Sequence, residues 1–188
     1  KVISHDVERI ERLITDYSQM LKDEASLSRA KMTKIDLSNV VNSVVEDFNS
    51  NLLNSNKNIK INIKNSNLNG SELNILGVES KLEQIVANLL DNAVSFSPPN
   101  GKISVLCNIK KKDAQLVIED EGPGFNETSI DKVFNRFYSN RPEKFGEHSG
   151  LGLNIVKNII ELHGGSIVAS NHTGKKVQEL KYSCQFIN

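Results

Sequence analysis

The sequence predicts an α+β protein, a two-layer α/β sandwich with helices over one mixed sheet, preceded by one long α-helix. Three observations carry that expectation. Residues 1–30 hold a heptad seam. From residue 35 onward, short apolar runs and alternating stretches of strand length recur between turn residues. Two longer amphipathic stretches, 79–96 and 150–163, are closed by Pro-Pro-Asn-Gly and by Gly-Gly. A single layer of helices on one sheet buries all of these faces most economically.

In the first segment Ile3, Val7, Ile10, Ile14, Tyr17 and Leu21 alternate steps of four and three, with charges between them. Leu13, Met20 and Leu27 widen this seam beyond the need of a two-stranded coil, which favours a bundle with partner helices from elsewhere. A polar joint at Ser28–Thr33 follows. Ile35–Ser38 ends a short strand and opens a helix to about Asn54, with Val40, Val41, Val44, Val45 and Phe48 inward. Asn58–Lys64 alternates Ile59, Ile61 and Ile63 as a strand with one buried face, and Leu73–Leu76 is another short strand. Glu79–Phe96 is a helix whose buried stripe is Leu82, Ile85, Val86, Leu89, Leu90 and Ala93. Lys102–Lys110 and Ala114–Asp120 form a hairpin; an irregular stretch runs from Glu121 to Ser149. A helix at Gly150–His163 and strands at Ser166–Ser170 and Val177–Ile187 complete the expected order.

With 188 residues the chain can bury one sizeable core and carry an appendage. A formal net charge of zero gives no electrostatic footprint for nucleic acid. Cys107 and Cys184 sit far apart in strand-like stretches and read as core thiols of a reducing compartment, not as a disulfide. No run reaches the length of a membrane span. The chain opens without methionine in mid-helix, as expected of a piece of a longer protein.

Three local patterns carry chemistry. On helix 79–96, Asn88, Asn92 and Ser95 share a face that is not the buried stripe. Amides there can be plain solvated surface, but amide oxygens also suit a hard cation such as Mg2+. Asp120-Glu121-Gly122-Pro123-Gly124 ends an apolar strand. It can be a simple turn, or a carboxylate accepting from an exocyclic amine beside glycines that let a flat base approach. Gly146–Leu153 places glycines at a helix start, where free N–H groups and the helix dipole favour phosphate. It is neither a dinucleotide fingerprint nor a Walker loop.

Taken in order, Asn-Leu-Leu-Asp-Asn-Ala, Asp-x-Gly-x-Gly, Phe-Asn-Arg-Phe-Tyr at 134–138, Gly-Leu-Gly-Leu and His163-Gly164-Gly165 resemble the N, G1, F and G2 boxes of the histidine kinase ATPase domain. That family shares a wider group with gyrase, Hsp90 and MutL. The resemblance implies a Bergerat-type ATP-binding domain over 31–188, and makes 1–30 the second helix of a dimerisation and histidine phosphotransfer hairpin. It implies ATP and Mg2+ as ligands, a homodimer through that hairpin in the full-length protein, a response regulator receiver domain as partner, and a cytoplasmic position in an inner-membrane protein.

Carried over by position, the resemblance makes Asn92 a Mg2+ ligand, with Asn88 holding metal or phosphate. Asp120 would bind the adenine amino group, Gly122 and Gly124 would line the base pocket, and Phe96 would pack on the ring. The turn Ser149, Gly150, Leu151, Gly152 and Leu153 would cradle phosphates, and 125–149 would form a lid. Two departures stand out. Ser95 and Ser139 occupy positions where many members carry a cation, so Arg136 or Arg141, with Lys144 on the same lid, would have to meet the γ-phosphate. Hydrolysing members of the wider group place Glu where this chain has Asn88, and an amide is no general base. The resemblance therefore implies an ATP-dependent protein-histidine kinase, whose isolated fragment does not phosphorylate itself. The alternative is a degenerate nucleotide-binding or dimerising scaffold without kinase activity. His5 precedes Asp6 but lacks the proline of an acceptor box, so the acceptor is expected on a preceding helix. His163 reads as a helix end, and His148 and His172 as exposed.

Overall fold

The computed structural model describes residues 30–52, 58–65, 73–110, 113–125, 127–136, 138, 150–172 and 179–186, and ten positions between Val7 and Ala25, all helical. In chain order the elements are β1 (Thr33–Asp36), α1 (Leu37–Leu52), β2 (Lys60–Asn65), β3 (Asn74–Gly77), α2 (Glu79–Phe96), β4 (Lys102–Lys110) and β5 (Asp113–Asp120). A 3-10 segment (Glu127–Phe134), α3 (Gly152–Leu162), β6 (Ser166–His172) and β7 (Glu179–Phe186) follow.

Five strands form one mixed sheet in the order β2-β4-β5-β7-β6, with β2 parallel to β4 and the other pairs antiparallel. The three helices lie over it in the order α1, α2, α3: α1 packs on β2, α2 on β5 and α3 on β6. The expected single sheet gains one addition, a separate antiparallel pair of β1 and β3. Asp36 explains the pairing. Its Oδ1 caps α1 by accepting from the Ser38 N–H at 2.9 Å, and it also accepts from the Leu73 N–H at 3.2 Å just before β3. Within 121–149 the described part of the irregular stretch contains the 3-10 segment, whose Val133 and Phe134 are buried.

Helix α2 sits at the centre of its layer, against both α1 and α3. Its stripe Leu82, Ile85, Val86, Leu89, Leu90 and Ala93 is no more than 1% exposed. Full burial of one such aliphatic side chain contributes about 1.5–3 kcal/mol, which far exceeds any local propensity in the helix. Ser97 donates its N–H to the Ala93 carbonyl at 2.9 Å, and Pro98 and Pro99 then prevent continuation. On the sheet, Ala114, Leu116 and Ile118 of β5 alternate into the core, and so do Ile103, Val105 and Cys107 of β4.

The register settles the two cysteines. Cys107 and Cys184 both pair with Leu116, from opposite neighbouring strands. Two strand spacings separate them, about 10 Å, beyond the ~7 Å Cα reach of a disulfide. Burial, and then the charge of Asp36, push the Cys107 thiol from 9.0 up to about 12. Cys107 in the folded chain should therefore resist maleimide at pH 8 and react only after denaturation, which mass spectrometry of the labelled protein reads directly.

His163 ends α3 and is buried. Its Nδ1 lies 2.8 Å from the Ile159 carbonyl, and its Nε2 accepts from the Val78 N–H at 3.1 Å. That assigns the proton to Nδ1 and ties the end of α3 to the start of α2, whose N-cap Val78 offers no side-chain cap. A Cβ on Gly77 would lie 3.1 Å from the ring, so the fit is close. His163→Ala should cost about 2–3 kcal/mol through the lost ring packing and the orphaned Val78 N–H, read as a lower urea midpoint.

Candidate functional site

The site gathers three loop-edge features that the fold places around one end of α2. The first is the flank of that helix. Because the stripe is buried, the positions rotated away from it are fixed, and Asn88, Asn92, Ser95 and Phe96 are all half-buried along one edge. Asn88 Nδ2 is buried without a hydrogen-bond partner. Asn88 Oδ1 is the nearest group, at 4.0 Å, to the position a Cβ would take on Gly152. Thus α2 presents an amide directly to the start of α3.

The second feature is the end of β5. Asp120 continues the inward phase of Leu116 and Ile118, so the pleat carries its carboxyl under the helix layer, where it is 1% exposed. Its Oδ1 accepts from the Gly122 N–H at 2.7 Å, closing a tight turn. A Cβ on Gly122 would stand 2.6 Å from that oxygen and 3.2 Å from both Cβ and the carbonyl of Phe96. Glycine is required there, and the same packing joins the end of α2 to the turn. Gly124 has φ 76°, a conformation that glycine adopts without strain. Beyond it, Asn171 of β6 pairs with the backbone of Phe125 in both directions, accepting at 2.7 Å and donating at 2.6 Å. This fixes the exit of the turn to the far edge of the sheet. Glu121 turns the other way and accepts from the Lys102 N–H at 3.0 Å.

The third feature is the glycine turn before α3. Gly150 has φ 69°, and Leu151, fully buried, anchors the N-cap without any side-chain cap. Among the described residues no side chain caps the first N–H groups of α3, which lie at the positive end of the helix. They stand beside the Asn88 amide of α2, and such donors and amide oxygens suit an anion and a hard cation chemically.

Of the residues expected at the site, Asn88, Gly152, Phe96, Asp120 and Gly122 are brought together through the contacts given above. Asn92 lies one turn beyond Asn88 on the same edge, Gly124 continues the Asp120 turn, and Gly150, Leu151 and Leu153 belong to the α3 start. Ser149 and Arg141 lie outside the described residues, as do Ser139, Lys144, His148 and His5. Arg136 is exposed, and its guanidinium stands 5.7 Å over the ring of Tyr17 in the N-terminal helix, with Nη1 3.5 Å from the phenol oxygen. Sequence reasoning missed Asn154 and Asn171. Each is one polar residue among several in its element, and only the packing shows that each holds a distant backbone segment.

The arrangement joins a buried carboxyl and glycine turn, the amides on the flank of α2 and a glycine-led helix start. The family described as histidine kinase-, DNA gyrase B- and HSP90-like ATPase matches residues 77–182. The chain belongs to this family, as an ATP-binding catalytic domain of the histidine kinase type. It is 39% identical over 179 residues to the sensor protein ChvG of Rhizobium meliloti, covering 93% of this chain and 31% of that protein. It is 37% identical over 180 residues to the sensor protein ChvG of Agrobacterium fabrum, covering 93% of this chain and 30% of that one. The chain thus spans about three-tenths of these relatives. Among solved structures, the mycobacterial sensor histidine kinase MprB superposes with a TM-score of 0.70 at 27% identity, over 82% of this chain and 96% of that one. Histidine kinase ThkA, solved with the response regulator protein TrrA, has the same fold at a TM-score of 0.72 and 21% identity, over 98% of this chain and 49% of that chain.

Gly122 offers a sharp test of this geometry. Gly122→Ala must displace either the Asp120 carboxyl or the last turn of α2. It should lower stability by about 1–3 kcal/mol in denaturant unfolding and weaken adenosine binding more than tenfold.

Proposed function

We propose that this chain binds Mg-ATP between α2, the Asp120–Gly124 turn and the start of α3. It then presents the γ-phosphoryl group to a histidine on a dimerisation helix, for relay to a response regulator receiver domain. The observation that carries this reading is the approach of the Asn88 amide to Gly152, because it closes α2 and α3 around a site of mixed polarity. Asp120 binds the exocyclic amine of the base, Gly122 lets the ring approach, and Phe96 packs beside it. An ionised carboxylate has about four lone-pair sites, so accepting from Gly122 leaves capacity for a ligand donor.

The residues fit Mg2+ through the amide oxygens of Asn92 and Asn88, which are hard neutral donors, while the buried, partnerless Asn88 Nδ2 is a hydrogen-bond donor suited to a phosphate oxygen. When bound, the cation neutralises phosphate charge and orients the triphosphate. The N–H groups of Gly150, Leu151, Gly152 and Leu153, with Ser149 alongside, hold the phosphate oxygens. By the family resemblance Arg136 or Arg141, with Lys144 in the same stretch, supplies the cation for the γ-phosphate, since Ser95 and Ser139 bring no charge. In the transfer the terminal P–O bond of ATP breaks, a P–N bond to imidazole forms and ADP leaves. Asn88 has no useful basicity, so the site holds ATP for transfer instead of activating water.

Several observations support the wider setting. The relatives are named as sensor proteins. ThkA was solved with a response regulator, and ShkA, at 22% identity, was solved with AMPPNP. In the N-terminal segment Val7, Ile10, Ile14 and Leu21 are exposed along the heptad seam. That unburied seam fits a four-helix homodimer in the full-length protein, with 1–30 as the second hairpin helix and 31–188 as the catalytic domain. The corresponding place is the cytoplasmic side of an inner membrane; among the described residues no helix is long and apolar enough to cross one.

Calorimetry tests the reading. ATP should bind this chain in a magnesium-dependent manner, and Asn92→Ala or Asp120→Ala should weaken it at least a hundredfold, about 2.7 kcal/mol or more. Wild-type protein that binds neither ATP nor ADP would end the proposal, whereas rapid ATP turnover without any acceptor would replace it with a hydrolase.

A further inference from the structure

Phe134, at the end of the 3-10 segment, and Leu151, just before α3, are both buried. One side chain bridges these two points. Asn154, third residue of α3, donates from Nδ2 to the Phe134 carbonyl at 2.9 Å, across 20 positions of sequence. The carbonyl ends the 3-10 segment, so without Asn154 it loses this partner at a helix end, where backbone acceptors are already in excess. Asn154 Oδ1 is buried and accepts no hydrogen bond. An amide kept at the cost of an unmet acceptor is retained for its donor.

We infer that Asn154 is a positioning residue for the triphosphate. It fastens the end of the 3-10 segment, and with it Arg136 and Tyr138, to the first turn of α3 that carries the phosphate-facing N–H groups. Its amide does not belong to the base pocket. That pocket rests on Asp120, Gly122 and Phe96 and is fixed independently through Asn171 and Phe125. The two halves of the site are therefore held by different clamps, and loss of Asn154 loosens only the phosphate half.

This inference rests on the nucleotide reading above, and the test separates the two. Binding of Mg-ATP and of adenosine to the intact chain is compared in wild type, Asn154→Leu and Asn154→Asp. Leucine keeps the shape and removes both the donor and the unmet acceptor. Asparate-for-amide exchange keeps the shape but sets an acceptor against the Phe134 carbonyl. Asn154→Leu should weaken Mg-ATP about three- to tenfold and leave adenosine unchanged, with a melting temperature no lower than wild type. Asn154→Asp should weaken Mg-ATP further, again without touching adenosine. Equal losses for both ligands, wild-type ATP affinity in Asn154→Leu, or loss of the fold in both variants would overturn it, since each assigns the bond to general stability or to nothing. Wild type that binds adenosine but not ATP would instead fail the nucleotide reading itself.

Discussion

Six apolar side chains of α2 are withdrawn from water between two flanking helices and β5, and that burial fixes the rotation of the helix about its axis. A turn of one residue, about 100°, would drive Asn88 into the core and Leu90 out of it. The polar edge is thus positioned by apolar packing, and it needs no hydrogen bond of its own to stay in place. Asn88 can remain under-satisfied because leaving the groove would expose far more apolar surface than one amide bond is worth. A binding site can be kept in readiness in this way: the fold supplies the energy, and the ligand supplies the missing partners.

The same logic holds at Asp120. The phase of β5 carries the carboxyl inward, and the cost of burying it is offset locally by the Gly122 N–H. That turn favours glycine, since a Cβ would stand 2.6 Å from the carboxyl oxygen and 3.2 Å from the Phe96 carbonyl, and one of them would have to shift. Helix α2 and the β5 turn are therefore not independent. The close approach that shapes the base pocket also terminates the helix that presents the amides. His163 then ties the start of α2 to the end of α3, and Asn171 ties the turn to β6. The starts of α2 and α3 are held by contacts with other elements instead of by side-chain caps of their own at Val78 and Leu151.

The parts of this arrangement governed by periodicity were legible in the sequence. The stripe of α2, the inward phase of β5 and the glycine turns appear as local patterns, and Asn88, Asn92 and Asp120 could be placed on faces before any contact was known. The parts governed by pairing over long separations were not. Asn154 reaches back 20 positions and Asn171 reaches 46. Asp36 links β1 to the strand 37 positions later, which explains why the second small sheet was absent from the expected layering. An amide in an amphipathic helix carries no sign of which distant carbonyl it meets. His163 falls between these cases: its place at a helix end was readable, but its bond to Val78 was not.

Arg136 shows how the fold constrains the chemistry that the motifs leave open. Sequence reasoning offered it as a γ-phosphate cation, and the structure sets it over Tyr17 on the N-terminal helix. An exposed contact of this kind contributes about 0.5–1 kcal/mol, far less than a phosphate in a desolvated site returns. Were Arg136 to take the phosphate role proposed for it, the guanidinium would have two positions in competition, and the exchange would be reciprocal: a ligand that draws Arg136 from Tyr17 is bound less tightly by the amount of that contact. Nucleotide binding and the Arg136–Tyr17 contact would then be coupled by a small energy, enough to shift an equilibrium a few-fold without locking it.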